Sequence, residues 1–361
     1  MSLLEDRYRY VLRLLPASYR AEREEEMVGA FLEGSGGLSD ADNPRPRWSE
    51  IASVAALSMR VRLGSTGAAP RFFAWGEAVR LVAVLGLFFQ AVMSCVWLAD
   101  LLRLYWGFGP SPADYQAALG AAGSAHRLWD IVRMCTYLLW GAASVSLVRG
   151  RPRAAKTLAL LALALLYGPI IIQSWAWGWS LGLSDSLLHS LPTVVPVLAL
   201  MAGFHRDVPR LRHPWWVAAL PVGVGVALYA ILSVLNWVAL APVVNWQFWS
   251  WVWPWLGESG LACLAILVAS VVCAGTHLRT PSRRTPSLPL ALAILVVPVT
   301  LDLVPGPFDA ADPIAQTMAA VTTGQFVALL LCGLVLIVLA TRTMSALPQV
   351  NPRVEQPPDS P

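Results

Sequence analysis

Charge is what this 361-residue chain has least of. Asp, Glu, Lys and Arg make up 13% of it, about half the ~25% of a soluble domain. With 57% hydrophobic residues and a mean hydropathy of +0.58, an ordinary soluble fold is excluded and a polytopic membrane protein is indicated. Lysine is almost missing: of the 26 basic residues only Lys156 is not arginine, a bias that points to a GC-rich bacterial genome. The net charge of +4 and pI of about 8.9 do not imply nucleic-acid binding, because the arginines sit in short stretches between apolar runs. Membrane orientation accounts for them.

Cysteine is sparse and unclustered. Cys95, Cys135, Cys263, Cys273 and Cys332 all fall in apolar runs, form no C-x-x-C and have no histidine cluster nearby. Neither a zinc site nor a disulfide framework is expected. Catalytic signatures are missing too: there is no H-E-x-x-H, G-x-S-x-G or G-x-G-x-x-G. Gly150 to Thr157 (GRPRAAKT) imitates a phosphate-binding loop, but Ala155 stands where the second glycine belongs and no strand precedes it. The expectation is a protein that is not an enzyme and needs no cofactor or metal. No basic-then-apolar leader opens the sequence, so no cleavable signal peptide is expected.

What is present begins with a soluble-looking stretch, Leu3 to Glu33. Leu4, Tyr8, Val11, Leu12 and Leu15 recur on one helical face, with Arg7, Arg9 and Arg13 opposite. Pro16 stops that helix, Ser18 can cap a second, Met27, Val28 and Phe31 continue its apolar side, and Gly34 ends it. After a Gly/Pro/Asp-rich linker a third helix is expected over Trp48–Leu63, with Trp48, Ile51, Ala55 and Met59 on one side. Residues 1–63 thus read as a three-helix head, 64–78 as a linker, 79–340 as the membrane bundle and 341–361 as a disordered proline-rich tail.

The run from Tyr8 through Leu14-Leu15-Pro16, Tyr19-Arg20, Glu25-Glu26 and Phe31 resembles the HAAS-type, or permease-prefix, module of bacterial membrane proteins. The resemblance covers about the first sixty residues. It implies a cytosolic head that works with a PadR-like transcriptional regulator. On that reading Tyr8, Val11, Met27 and Phe31, flanked by Glu25 and Glu26, are the candidate docking face for the partner.

A span needs about twenty apolar residues. About eight stretches approach that: 79–102, 128–148, 157–177, 187–204, 215–238, 259–278, 287–304 and 321–340. The fold class is therefore all-α, a transmembrane bundle behind a small head. Pro192, Pro196 and Pro298 mark the short fourth and seventh stretches, and Pro169 and Pro221 suggest kinks. Arg149, Arg151, Arg153 and Lys156 fill the second connection, Arg206, Arg210 and Arg212 the fourth, and Arg279, Arg283 and Arg284 the sixth. Asp114, Asp185, Glu258, Asp309 and Asp312 mark the others. The positive-inside bias places both termini in the cytoplasm of a bacterial cell, with the chain multi-pass in its plasma membrane.

Ionisable groups inside spans are expensive and mark candidate sites. Asp100 with Arg103, Asp130 with Arg133, and His189, Glu258 and Asp302 all lie near the outer ends of their spans. Together they would form an extracytoplasmic polar pocket. Tryptophans at 175, 177 and 179, and at 246, 249, 251, 253 and 255, read first as interfacial anchors and second as an aromatic ligand wall. The deeper amides Gln90, Gln173, Asn236 and Gln325 read as helix-joining groups. The leading functional expectation is a signalling protein whose bundle senses a membrane or extracytoplasmic signal and whose head passes it to the regulator. The alternative is a transporter or permease-like subunit. The lipid bilayer is a partner on either reading.

Overall fold

The structure, a computed structural model, describes residues 3–34, 45–64, 70–106, 123–176, 182–204, 214–239, 246–279, 285–304 and 312–346. Among these residues all regular structure is helical. Three short helices make the head: α1 (Leu3–Leu12), α2 (Ala17–Gly34) and α3 (Trp48–Arg62). The bundle follows as α4 (Pro70–Tyr105), α5 (Ala125–Val148), α6 (Pro152–Ala176), α7 (Gly182–Gly203) and α8 (Trp215–Ala239). It closes with α9 (Trp246–Leu256), α10 (Glu258–Arg279), α11 (Ser287–Asp302) and α12 (Pro313–Ser345).

In the head, Leu12 is fully buried, and Tyr8, Leu15, Val28 and Val54 close around it. Tyr8 stacks on Phe31 with ring centroids 3.9 Å apart. Pro16 breaks the helix as expected, which leaves the Leu14 carbonyl without a helical partner. α3 supplies one: Ser58 Oγ donates to Leu14 O at 2.6 Å and Arg62 Nη2 at 3.1 Å. The side of α3 that carries Trp48 and Met59 is turned outward. Val54, Ser58 and Val61 point inward, while Trp48 and Met59 are 85% and 57% exposed. The inner face of α3 combines the apolar Val54 and Val61 with that hydrogen bond.

Among the described residues five helices are long and apolar enough to cross a membrane: α4, α5, α8, α10 and α12. The short fourth and seventh stretches form the shorter apolar helices Leu188–Gly203 and Ser287–Asp302, and the third forms most of α6. The chain is a multi-pass membrane protein: each of the eight stretches coincides with an apolar helix, and among the described residues five of these are long enough to span by themselves. Asp114, Arg206, Arg210, Arg212, Arg283, Arg284, Asp309, Trp177, Trp179 and the tail after 346 lie outside the described residues.

α4 is the centre of the bundle. It packs against α5, α7, α8 and α11, and its first turns meet α3. Two cores share it. On one side Ala83 and Leu87 pack with Trp140 and Ala143 of α5, Ala159 of α6 and Val197 of α7. On the other, Leu85 and Phe89 pack against the α10–α12 core built on Cys263, Val296 and Leu329. Close approach is made by small residues. Gly86 of α4 lies against the Pro196 ring of α7, and Gly225 of α8 against Cys95 and the Val92 carbonyl. In α6, Ala155, Ala159 and Ala162 are fully buried at helical spacing.

The phosphate-loop imitation is a helix-ending turn. Arg151 N donates to Ser146 O and Gly150 N to Leu147 O, each at 2.9 Å, with Gly150 at φ +72°. This is the paired capping of a helix C-terminus, for which a glycine supplies the left-handed residue. Ala155 is shut inside the bundle core and Lys156 Nζ donates to the Met201 carbonyl at 2.9 Å. No phosphate cradle exists there.

Candidate functional site

Six helices line an open cavity of about 770 Å³, within the range of small-molecule pockets. It lies toward the C-terminal ends of α4, α6 and α11 and the N-terminal ends of α5, α7 and α10. These are the ends away from the helical head, since α3 meets the start of α4. From α5 come Trp129, Arg133, Thr136, Tyr137 and Trp140, one stripe of a helix. α4 presents Phe89, Gln90, Met93, Ser94 and Trp97.

The polar floor is a set of helix-to-helix bonds. Gln90 Nε2 donates to Thr193 Oγ1 at 3.2 Å, joining α4 to α7 as expected for a buried amide. Asp302 receives both His189 and Ser259. His189 Nδ1 lies 2.5 Å from Asp302 Oδ1, and Ser259 Oγ–H donates to Oδ2. One carboxylate thereby ties α7, α10 and α11 together. The order here is Ser–Asp–His, with the carboxylate in the middle. It differs from the nucleophile–imidazole–carboxylate order that activates a serine.

Of the seven residues expected to form the pocket, Arg133, His189, Glu258 and Asp302 line it. Asp100, Arg103 and Asp130 do not. Asp130 is buried behind the wall, with Arg133 Nη1 3.8 Å away, while Arg133 itself is half exposed at the rim. Asp100 and Arg103 fall beyond Trp97, the last residue of α4 that reaches the cavity, by about one and nearly two turns. Tyr137, Tyr167, Ser259 and Thr193 also line the cavity, and nothing in their spacing marked them. Uncharged polar residues in apolar helices are ordinary until the fold aims them at one space.

The aromatic wall is made by Trp97, Trp129 and Trp140, not by the tryptophan cluster at 246–255. No family model, curated protein or solved structure matches the chain. The geometry of the site alone bears on its use. The 246–255 cluster forms α9, a short helix packed on α10 and α12. Trp246, Trp251 and Trp253 stand about half exposed and Trp249 is buried, which suits indoles at a membrane interface. Gly260 makes its reversal feasible, because a Cβ there would sit 2.0 Å from the Pro254 carbonyl oxygen. Gln325 Nε2 donates to that same carbonyl at 3.3 Å, so this amide also joins helices.

In the head, the face considered for docking is turned inward. Tyr8 is buried, and Val11, Met27 and Phe31 pack against the same core. Glu25 is exposed but engaged, accepting from Arg9 at 2.8 and 3.0 Å, while Glu26 is free on the surface. The Arg9 guanidinium holds the Glu25 carboxyl below its ordinary range through that hydrogen bond and its charge. Burial, and secondarily Glu50, raises the Tyr8 phenol.

Proposed function

We propose that this chain is a signalling protein of a bacterial plasma membrane. Occupancy of the cavity, on the extracytoplasmic side, alters a cytosolic head that engages a PadR-like transcriptional regulator. One observation carries the reading. α4 is a single 36-residue helix that touches the head at one end and walls the cavity at the other. At the near end, Gly76 lies so close to α3 that a Cβ would come within 2.0 Å of the Leu63 carbonyl oxygen. A ligand that displaces the far end of a stiff helix moves this junction as well. The arginines at the head-side ends of α5 and α6 support a cytosolic head.

Signalling is then a shift between a closed head and one that releases its Tyr8/Val11/Met27/Phe31 face, with Glu25 and Glu26 beside it for a basic partner. The ligand biases that equilibrium only by its differential affinity for the two states. Deletion of residues 1–63 is expected to abolish the response of the regulator's target genes and the co-purification of regulator with membranes. Gly76→Ala is expected to uncouple the response while the cavity stays intact. Unaltered target transcription on deleting the head refutes the reading. The cavity and the prolines of α7 and α11 favour a transporter as the second reading, which predicts substrate flux in reconstituted vesicles.

A further inference from the structure

Counting charge in the cavity identifies a ligand class. Asp130, behind the wall, neutralises Arg133 at the rim. His189 and Asp302 are paired, and leave either no charge or one negative charge according to whether the imidazole is protonated. Glu258 is left over. No cation among the described residues pairs with it, its side chain is open to the cavity, and its polar neighbour is the Gln90 amide. With Asp130 cancelling Arg133, an ionised Glu258 leaves the described lining with one or two negative charges in excess. The cavity walls near Glu258 are rich in aromatic side chains from α4, α5 and α6, including Trp97, Tyr137, Trp140 and Tyr167. The face of an aromatic ring attracts a cation, most strongly where water is displaced. An anion would meet Glu258 and Asp302 as like charges. A neutral apolar guest would strip water from Glu258 without replacing it.

We propose that the cavity binds a monovalent organic cation, an ammonium group on an apolar body, with its charge at Glu258 and its body against Trp97, Trp140 and Tyr137. This rests on reading the cavity as the ligand-binding end of the signalling protein, and names the ligand's chemistry. Arg133 admits such a guest because Asp130 cancels its charge at the rim. The Ser259–Asp302–His189 cluster holds α7, α10 and α11 at the spacing that lets Glu258 face the rings.

The test uses the full-length chain in nanodiscs of zwitterionic lipid and two probes, benzyltrimethylammonium and its neutral isostere neopentylbenzene. Binding is read by calorimetry and by tryptophan fluorescence. Saturable binding of the cation, at least tenfold tighter than that of the isostere, is expected for the native chain. Glu258→Gln is expected to weaken the cation at least tenfold and leave the isostere unchanged, and Trp97→Leu to weaken both. Equal affinities for the two probes, or saturable binding of neither, overturn the proposal on the native chain alone, whatever the variants do. An unchanged cation affinity in Glu258→Gln overturns it as well. Cation binding with target transcription indifferent to the head leaves this inference standing and removes the signalling reading. A transcriptional response to neutral or anionic compounds only does the opposite.

Discussion

Gly86→Ala is the sharpest test of the packing that frames the cavity. The added Cβ would sit 2.2 Å from Pro196 Cγ and 2.3 Å from its Cβ, where carbon atoms normally keep about 3.5–4.0 Å. The obstacle is a ring fused to the backbone of α7, so no rotamer change relieves it. α4 and α7 must separate by more than an ångström. One turn along, the Gln90–Thr193 bond, now 3.2 Å, would pass out of hydrogen-bonding range. Overpacking of this kind costs about 1–3 kcal/mol, and the rigid ring places the expected loss near the top, at about 3 kcal/mol. Thermal unfolding of the full chain in detergent, followed by tryptophan fluorescence, measures it. Pro196→Gly removes both clashing atoms and leaves only the Cα, at an ordinary 3.6 Å. A double-mutant cycle should then show Gly86→Ala to be much cheaper in the Pro196→Gly background, with a coupling of about 1–2 kcal/mol. Additivity within about 0.5 kcal/mol would refute the close α4–α7 contact.

Other perturbations separate the remaining parts of the structure. Arg133→Gln should destabilise the chain more than Asp130→Asn, because the first strands a buried carboxylate and the second strands a guanidinium that already reaches the rim. Equal unfolding midpoints would contradict that asymmetry. Tyr8→Ala removes a buried ring stacked on Phe31 and should cost the head about 3–5 kcal/mol. Hydrogen exchange should speed up across residues 3–34 while α4 and α11 stay protected. The Arg9–Glu25 bond should act only above the acid range. Glu25 has its folded pKa lowered, so its contribution is complete above the unfolded value near 4.3 and fades as pH falls through the folded one. Exchange in the head of native chain and Glu25→Gln should therefore differ at neutral pH and converge once the pH has fallen through the lowered folded pKa.

The helical class and the head were legible because they rest on local rules. Pro16 breaks a helix wherever it stands, and Leu4, Tyr8 and Leu12 mark a buried face by spacing alone. The convergence of Arg133, His189, Glu258 and Asp302 was legible for a different reason. Charges near the ends of apolar helices have few places to go, and alternate chain direction brings those ends to one level. Asp100 and Asp130 obeyed the same rule, yet depth along α4 and rotation around α5 kept them off the cavity. Neither coordinate is encoded in composition. The ring wall was misplaced for a related cause. Tryptophan density singled out 246–255, whereas the cavity uses Trp97, Trp129 and Trp140 from separate helices. In α3 the inward face combines Val54 and Val61 with the bond from Ser58 to the Leu14 carbonyl, a contact across 44 positions that no periodicity within α3 could announce.

α11 has a bearing on how the chain is made. It spans 16 residues, about 24 Å, against a hydrocarbon core of about 30 Å, and ten of its residues are buried among α4, α7, α10 and α12. Such a segment is poorly suited to partition into lipid by itself as it leaves the ribosome. It needs a seat that three earlier helices begin and the last one finishes. Synthesis that halts before residue 313 would leave that seat open on one side, and a membrane protease would meet the unfinished chain there.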